Sequence, residues 1–592
     1  MPQLQINQGP QDALLYDNTR SYFTNVGYVR TSNFQMELRD VPPQNNAALG
    51  STVHYVIPKS ADLLGPIDLM VDFSTAQPVS GTANSTMGNY AAWVDTLGYA
   101  MIDEMQFSIG SHVVETITGD QMNIINELMK GDSQRQGKNI GKTGRSAITI
   151  DVNEEDKFVV NEDRDLALKN VGAWHVHDLE SDTRIITSGP NGSGTTADTG
   201  GIKAKTLIVP LNFFFTKHPS QYFPLCAIAG CNDVRVTIKF RSLNELMIIG
   251  RHNYGTTTPN NVGANAEPGT AAQVDPDASL TAFVSSANVT PVSPLPVFES
   301  GGAIKKCELR CHYVHVTGPE ATTLMNKEHV RLLKLWHHQP KTFKVDFNAT
   351  TQTKQSFELD LSFLHPVQEL VITIRKASNM TSSTEFSSIP SDLDQKATCK
   401  NYFAYEGSGK DPNIESHLNK IPQRAHDICP LDKENIVNTL KVKQFKLSLN
   451  GQERHPSLAG TGISREYLMD RLMPMLHSNT SDTFIQAGMS DPGHDGSATF
   501  AHLGEMLDRK EIYVYPFALN PEGANPSGAV NFSKVSHAKL VIDYDAIRGA
   551  GKQGTAGTYD ETSLSEEYVV DVYGVYFNWL QIKDGRALTS FQ

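Results

Sequence analysis

A single architectural phrase is written once in each half of this 592-residue chain. The first copy is Glu104-Met105-Gln106-Phe107-Ser108-Ile109-Gly110, followed by Gly119-Asp120-Gln121-Met122-Asn123-Ile124-Ile125-Asn126-Glu127-Leu128-Met129. The second is Lys443-Gln444-Phe445-Lys446-Leu447-Ser448-Leu449-Asn450-Gly451, followed by Ser464-Arg465-Glu466-Tyr467-Leu468-Met469-Asp470-Arg471-Leu472. Each reads as an alternating strand, a Gly turn, a short second strand and an amphipathic helix, since the apolar residues recur first with period two and then at helical spacing. Two copies of one unit predict two domains of one kind. Such a plan suits a built object better than a single pocket.

Length agrees, because 592 residues exceed what one hydrophobic core organises. Period-two segments outnumber helical ones, as at 207–211, 234–240, 357–361 and 539–544, and 44 Gly and 30 Pro punctuate them. Many short strands between turn residues predict sandwiches or barrels. The net charge is −14 and the 51 basic residues are dispersed. Gripping phosphates needs a basic face, so no direct nucleic acid binding is expected. Six cysteines are too few for a disulfide-stapled fold, which points to a reducing compartment. No apolar run approaches the ~20 residues that span a bilayer. The start, Met1-Pro2-Gln3-Leu4-Gln5, lacks the charged and apolar blocks of a signal peptide, so cytosol-like conditions are expected.

The chain divides, on this reading, into an N-terminal arm (1–30), a first set of strands (31–245), a linker or loop excursion (246–303) and a second set (304–592). The arm is polar apart from Leu14-Leu15-Tyr16 and is expected to order against a neighbour. Stretches 131–205, 251–300, 377–430 and 478–500 are rich in Gly, Pro, Ser and Asn. They are expected to form no core and to sit at sandwich ends or subunit contacts, being too long for simple turns. The two sets also close alike. Leu211-Asn212-Phe213-Phe214-Phe215, Pro224–Ile228 and Asp233–Ile238 match Ile512–Leu519, Pro526–Ser533 and Ala538–Ile542 in plan.

Motifs with chemistry are few. Gly141-Lys142-Thr143 has the ending of a phosphate-binding loop, but Gln136 stands where the motif needs its first Gly, and the segment follows a helix. Cys307, Cys311, His312 and His315 have a metal-like look. On a strand Cys307, Cys311 and His315 share one face, His312 takes the other, and positions i and i+4 lie ~13 Å apart. One zinc with bonds of ~2.0–2.3 Å cannot gather them, so these cysteines are read as core. Cys226 and Cys231 are read as small apolar fillers. His337-His338 reads as a solvent-facing or inter-subunit pair. The sequons at Asn84, Asn191, Asn288, Asn348, Asn379, Asn479 and Asn531 are read as loop markers. No catalytic, cofactor-binding or metal residues are assigned, and no cofactor is expected.

The segment Tyr515-Pro516-Phe517-Ala518-Leu519-Asn520-Pro521-Glu522, continued by Asn525-Pro526-Ser527-Gly528-Ala529-Val530-Asn531-Phe532-Ser533-Lys534, resembles a signature of the major capsid proteins of nucleocytoplasmic large DNA viruses. Further landmarks of that family fall in the same order. Ile57-Pro58-Lys59-Ser60-Ala61-Asp62 resembles its early strand start, although Ala61 stands where Gly is usual. Phe107-Ser108-Ile109-Gly110 with Gly119-Asp120 and Asn126-Glu127-Leu128, His365-Pro366-Val367-Gln368-Glu369-Leu370, and Leu449-Asn450-Gly451-Gln452-Glu453-Arg454 resemble three more. The resemblance spans about 30–592 and implies an all-β double jelly roll: two eight-stranded β-sandwiches with short helices and long loop excursions. It implies a structural, non-enzymatic late protein of the virion, assembled in the host cytoplasm. Homotrimers with a pseudohexameric outline would tile an icosahedral capsid. Partners would be neighbouring capsomers, penton and minor capsid proteins, and membrane proteins beneath the shell. A virophage-type capsid protein shares this fold. A glycan- or receptor-binding sandwich protein would not need two equal units. A cupin-like enzyme would need an inward His/Glu cluster, and no such spacing occurs.

Overall fold

The computed structural model describes residues 33–74, 76–77, 87–94, 96–129, 139–141, 151–152, 158–159, 184–186, 206–230, 232–253, 297–298, 302–347, 353–377, 380, 402–409, 438–454, 462–477, 511–523, 525–547 and 565–590. Two sets of antiparallel strands dominate. The first comprises β1 (Phe34–Val41), β2 (Thr52–Ile57), β3 (Leu63–Phe73), β4 (Ile102–Ile109), β5 (His112–Thr118), β6 (Thr206–Leu211), β7 (Phe223–Pro224), β8 (Val234–Phe240) and β9 (Ile304–Val316). One sheet runs β1-β9-β3-β6 with β7 beside β3, and the other runs β2-β8-β4-β5. Helix α1 (Gly119–Met129) follows β5.

Helix α2 (Gly318–Asn326) leads to the second set: β10 (His329–Asp346), β11 (Thr353–Asp360), β12 (Pro366–Lys376), β13 (Thr439–Leu449), β14 (Gln452–Glu453), β15 (Ile463–Ser464), β16 (Ile512–Pro516), β17 (Val530–Asn531), β18 (Ala538–Ile547), β19 (Ser565–Lys583) and β20 (Arg586–Thr589). Its sheets run β10-β19-β12-β16, with β17 beside β12 and β20 beside β19, and β11-β18-β13-β14, with β15 beside β13. The order repeats position for position: β1 matches β10, β2 matches β11, β3 matches β12, and so on to β9 and β19. Successive strands alternate between the two sheets of a unit for most of the chain, which packs the two sheets of each sandwich face to face.

Side-chain alternation explains why these segments pair as they do. In β8, Val234, Val236, Ile238 and Phe240 face the core while Arg235, Thr237 and Lys239 face out. A one-residue slip would turn the whole apolar set to water. The repeated phrase is the β4–β5–α1 unit and its counterpart β13–β14. The counterpart continues through β15 to a π-helical turn, Tyr467–Leu472, that runs into α3 (Met473–Leu476). Both hairpins turn through left-handed residues, Gly110 in the first and Asn450-Gly451 in the second. Gly119 opens α1 where a Cβ would strike the carbonyl oxygens of Tyr99 and Ile102. Gly119→Ala should therefore displace the helix start and cost about 1–3 kcal/mol. An unchanged thermal midpoint would contradict that.

The strand pairing moves the expected division. The segment 304–316 opens no second set. As β9 it lies between β1 and β3, pairing Cys311 with both Arg39 and Ile67. The second set starts at His329. A strand set is completed by the last strand to join its sheet, and the long preceding loop hid that partnership. The stretch 246–303 is correspondingly internal to the first set. It is also not all loop, since Met247–Asn253 pairs with Met87–Trp93, which pairs with Arg184–Ile186 from the 131–205 excursion. The excursion at 377–430 is corrected too. Tyr402, Phe403, Ala404 and Tyr405 within it are buried, and Tyr402, Phe403 and Tyr405 pack into the core. Three aromatic rings in four residues outweigh the polar composition around them.

Candidate functional site: a buried seam and its ionic locks

The two units share one continuous apolar cluster. Val371, Tyr405, Tyr573, Val575, Leu580 and Ile582 of the second unit pack into the core of the first. The burial of β12 reports this directly: Val367 to Lys376 are buried on both faces, whereas β3 alternates. One face of β12 meets its own sandwich and the other meets the first unit.

A charged lock crosses the seam. Arg375, on the seam face of β12, donates from Nε and Nη2 to Asp571 Oδ2 at 3.1 and 2.5 Å. Its Nη1 lies 3.0 Å from Oδ1 of Asp120, in the first turn of α1. A helix N-terminus favours a carboxylate there. Arg375 also donates to the Tyr402 carbonyl at 2.8 Å. His338 Nε2 contacts Asp571 Oδ1 at 2.8 Å, and its ring stacks on Tyr573 at 4.5 Å. Burial opposes ionisation of Asp571, but Arg375 and the His338 hydrogen bond outweigh it and hold the carboxyl at about 2. The segment 402–409 is pinned beside this lock. Asn123 donates to the Tyr405 hydroxyl at 3.2 Å, Tyr402 donates to the Glu245 carbonyl at 3.1 Å, and Arg241 lies 4.3 Å over the Tyr402 ring.

A second cluster lies around His477, which follows α3. Its Nε2 is 3.1 Å from Glu369 and its Nδ1 is 3.4 Å from Glu522. Burial works against the charged ring, but the hydrogen bonds and charges of Glu369 and Glu522 prevail and hold His477 at about 9. Glu115 of the first unit is raised by burial to about 8, against the Phe214 N–H at 2.8 Å and the charge of Lys217. Lys334 is lowered by burial to about 8 and donates to the Pro521 carbonyl at 2.9 Å. At its far end the β19–β20 hairpin touches the first unit, where Gly585 O accepts from Ala229 N at 3.0 Å and from Asn232 Nδ2 at 2.9 Å.

The sign of the His477 contribution follows from its raised value. The stability it adds is present in full below the ordinary value of 6.5 and is lost as pH rises through about 9. In chemical denaturation, the advantage of the native chain over His477→Gln should therefore be largest near pH 6 and close by about pH 9. A gap that stays constant across that range would show that the ring is not charged in the fold.

The residues singled out from sequence sit elsewhere. Cys307 and Cys311 are buried in the first core, where burial pushes their thiols up to about 11 and about 12. The Tyr55 hydroxyl is 3.1 Å from Cys307 Sγ. His312 faces Asp68 at 3.4 Å and His315 faces Glu37 at 2.8 Å, so the four do not converge. Cys226 is half-buried, and Cys231 lies outside the described residues. Gly141 packs beside Leu97 and Leu207, and Lys142 and Thr143 lie outside the described residues. His337 is edge-on to Phe363 and lowered by burial, then by the charges of His338 and His365. His337 is exposed, and His338 is partly exposed and belongs to the Asp571 lock. Of the sequons only Asn531 is described, and its Oδ1 accepts from Ser533 N at 3.1 Å.

The 515–534 signature has a structural rationale. Ser527 Oγ accepts from Asn520 N at 2.9 Å and donates to Asn520 O at 3.0 Å, closing the loop on itself. Gly528 holds φ of 138° there. Ser533 Oγ accepts from His365 N at 2.9 Å, and buried Phe532 donates its N–H to His365 O at 3.0 Å. The loop thus fixes the start of β12, and two of the sequence landmarks form one hydrogen-bonded assembly.

Two sandwiches of one strand order, joined through a shared core, define a double jelly-roll protein. The "Major capsid protein N-terminus" family matches residues 21–280, and the "Large eukaryotic DNA virus major capsid protein" family matches 498–587. The major capsid protein of Phaeocystis pouchetii virus is 21% identical over 606 residues, covering 98% of this chain and 97% of that one. That of Chrysochromulina ericina virus is 20% identical over 658 residues, covering 98% and 97%. Among solved structures, a quasi-atomic model of the PBCV-1 virus capsid aligns with a TM-score of 0.51 at 16% identity, covering 96% of this chain and 100% of that one. The Faustovirus major capsid protein aligns at 0.50 and 11%, covering 97% and 94%. The chain belongs to the major capsid proteins of the large eukaryotic DNA viruses. It is a structural protein of the virion capsid and not an enzyme.

Proposed function

We propose that three copies of this chain form a pseudohexameric capsomer, and that these capsomers tile an icosahedral shell. The observation that carries this reading is the duplicated unit, 33–316 and 329–590, with one strand order in both. Three chains with two like walls each present six near-equivalent sides. The trimer contact belongs to the obligate class, above ~2,000 Å² in total. Contacts between capsomers are weaker and more polar, so that misplaced capsomers can leave. Neighbouring capsomers, penton and minor capsid proteins and membrane proteins beneath the shell are its partners, and assembly takes place in the host cytoplasm.

Light scattering on purified protein tests the first step. A stable species of three times 65.1 kDa is expected, and a monomer at micromolar concentration would overturn the reading. Residues 1–30 lie outside the described residues. Their anchor-like Leu14, Leu15, Tyr16, Tyr22 and Phe23 suit a contact on the inner face of the shell. Deleting 1–25 should leave trimers intact and impair shell assembly. Loss of the trimer itself would place the arm in the subunit core.

A further inference from the structure

The second sandwich holds a buried group of reactive side chains that the seam does not use. Lys376, the last residue of β12, is 6% exposed. Asn438, immediately before β13, and Glu406, on the pinned segment 402–409, are 0% and 1% exposed. Glu566 reaches them from β19 and is partly buried. Lysine is almost never placed this deep unless it is paired.

The contacts take a particular form. Lys376 Nζ donates to the backbone carbonyl of Asn438 at 2.5 Å. It lies 3.3 Å from Glu566 Oε2 and 3.5 Å from Glu406 Oε1. Asn438 Nδ2 donates to Glu566 Oε1 at 3.0 Å. One carboxylate therefore spans the lysine amine and the nitrogen of the asparagine amide, with one oxygen to each. The buried Tyr568 ring lies 6.0 Å from Nζ. An ion pair would need no amide, and a buried amide would need no lysine. Amine, carboxamide and bridging carboxylate in a largely dry site are the parts of an acyl transfer.

We propose that Lys376 and Asn438 join in a self-catalysed isopeptide bond, with Glu566 as the proton carrier. Burial disfavours the charged amine, so a lysine proton passes to the Glu566 carboxylate and leaves Nζ a nucleophile. Nζ attacks Cγ of Asn438. Glu566 hands its proton to Nδ2 as the Cγ–Nδ2 bond breaks, then takes the second proton that Nζ loses. Ammonia departs with that proton as ammonium. One lysine ammonium and one carboxamide become one secondary amide and one ammonium ion, and Glu566 ends as it began. No oxidant, reductant or co-reactant is needed. The strands hold the groups together before reaction, which supplies the proximity such a step requires. The bond ties β12 of one sheet to the start of β13 in the other, across 62 positions of chain. It forms within one chain and does not depend on the assembly reading.

Mass spectrometry of the folded full chain tests this without any variant. The expected mass is that of the sequence less one ammonia, and a tryptic digest should yield a branched peptide joining Lys376 to Asn438. A succinimide at Asn191-Gly192 or Asn450-Gly451 would also lose ammonia, so the branched peptide is the deciding readout. Its absence from the folded chain would overturn the proposal. Glu566→Gln keeps the shape and hydrogen-bonding capacity of the side chain but cannot carry a proton. With folding checked by circular dichroism, it should form the branched peptide about 100-fold more slowly after refolding, or slower still. Formation at the native rate would overturn the role of Glu566.

Discussion

Arg375→Ala should destabilise the protein by about 3–5 kcal/mol, among the largest effects of any single substitution in the chain. The guanidinium is buried between Asp571 of its own unit and Asp120 of the other, so truncation leaves two carboxylates facing each other away from water. The loss should have a pH signature. Asp571 has its carboxyl held at about 2 against an ordinary 3.8, so its stabilisation is present above 3.8 and disappears as pH falls through about 2. Without Arg375 that advantage is gone, and the acid-unfolding midpoint should move to higher pH. The triple change Arg375→Met/Asp120→Asn/Asp571→Asn removes the opposed charges together and should recover much of the loss. Urea denaturation of the three proteins decides the matter. A loss below about 1 kcal/mol for Arg375→Ala would mean that the seam carries little of the fold's stability.

That lock was invisible in the sequence for a physical reason. Arg375 ends the run Val371-Ile372-Thr373-Ile374, which looks like a strand reaching solvent. The run is instead covered on both faces, and only the long-range contact with Asp120 shows why a charge can end it inside. The contact of His338 with Asp571 was hidden for the same reason, since Asp571 is far away in sequence. The repeated phrase was legible because strand alternation, a left-handed turn and a helix start are local demands. So was the 515–534 signature, whose hydrogen bonds close on themselves. The division at 304 was not legible. Strand β9 looks the same whether it opens one sheet or completes another, and its membership is fixed by Cys311 pairing with Arg39 and Ile67 across long loops. Composition misled at 402–405 because buried aromatic rings were averaged with polar neighbours.

Phe107→Ala should cost about 3–5 kcal/mol and act on the first unit before the second. The ring lies within 5.0 to 6.0 Å of Phe213, Phe214, Phe215 and Phe223, in tilted and edge-on arrangements. Such contacts add to the transfer energy of the ring itself. The residue also sits in the first copy of the repeated phrase, on β4, where it meets the aromatic turn after β6. Removing it opens a cavity among four rings that are themselves fixed by the backbone of that turn and cannot close over the space. The same change at Phe445, on β13 in the second copy of the phrase and two residues before Leu447, the register counterpart of Phe107, removes contact with one ring among the described residues, that of Tyr513 at 4.7 Å. Phe445→Ala should therefore be the milder of the two. Denaturation followed by near-ultraviolet circular dichroism measures both variants on one scale. Equal losses would show that the aromatic cluster of the first unit adds nothing beyond the burial of a single ring, and a larger loss at Phe445 would reverse the ranking drawn from the packing.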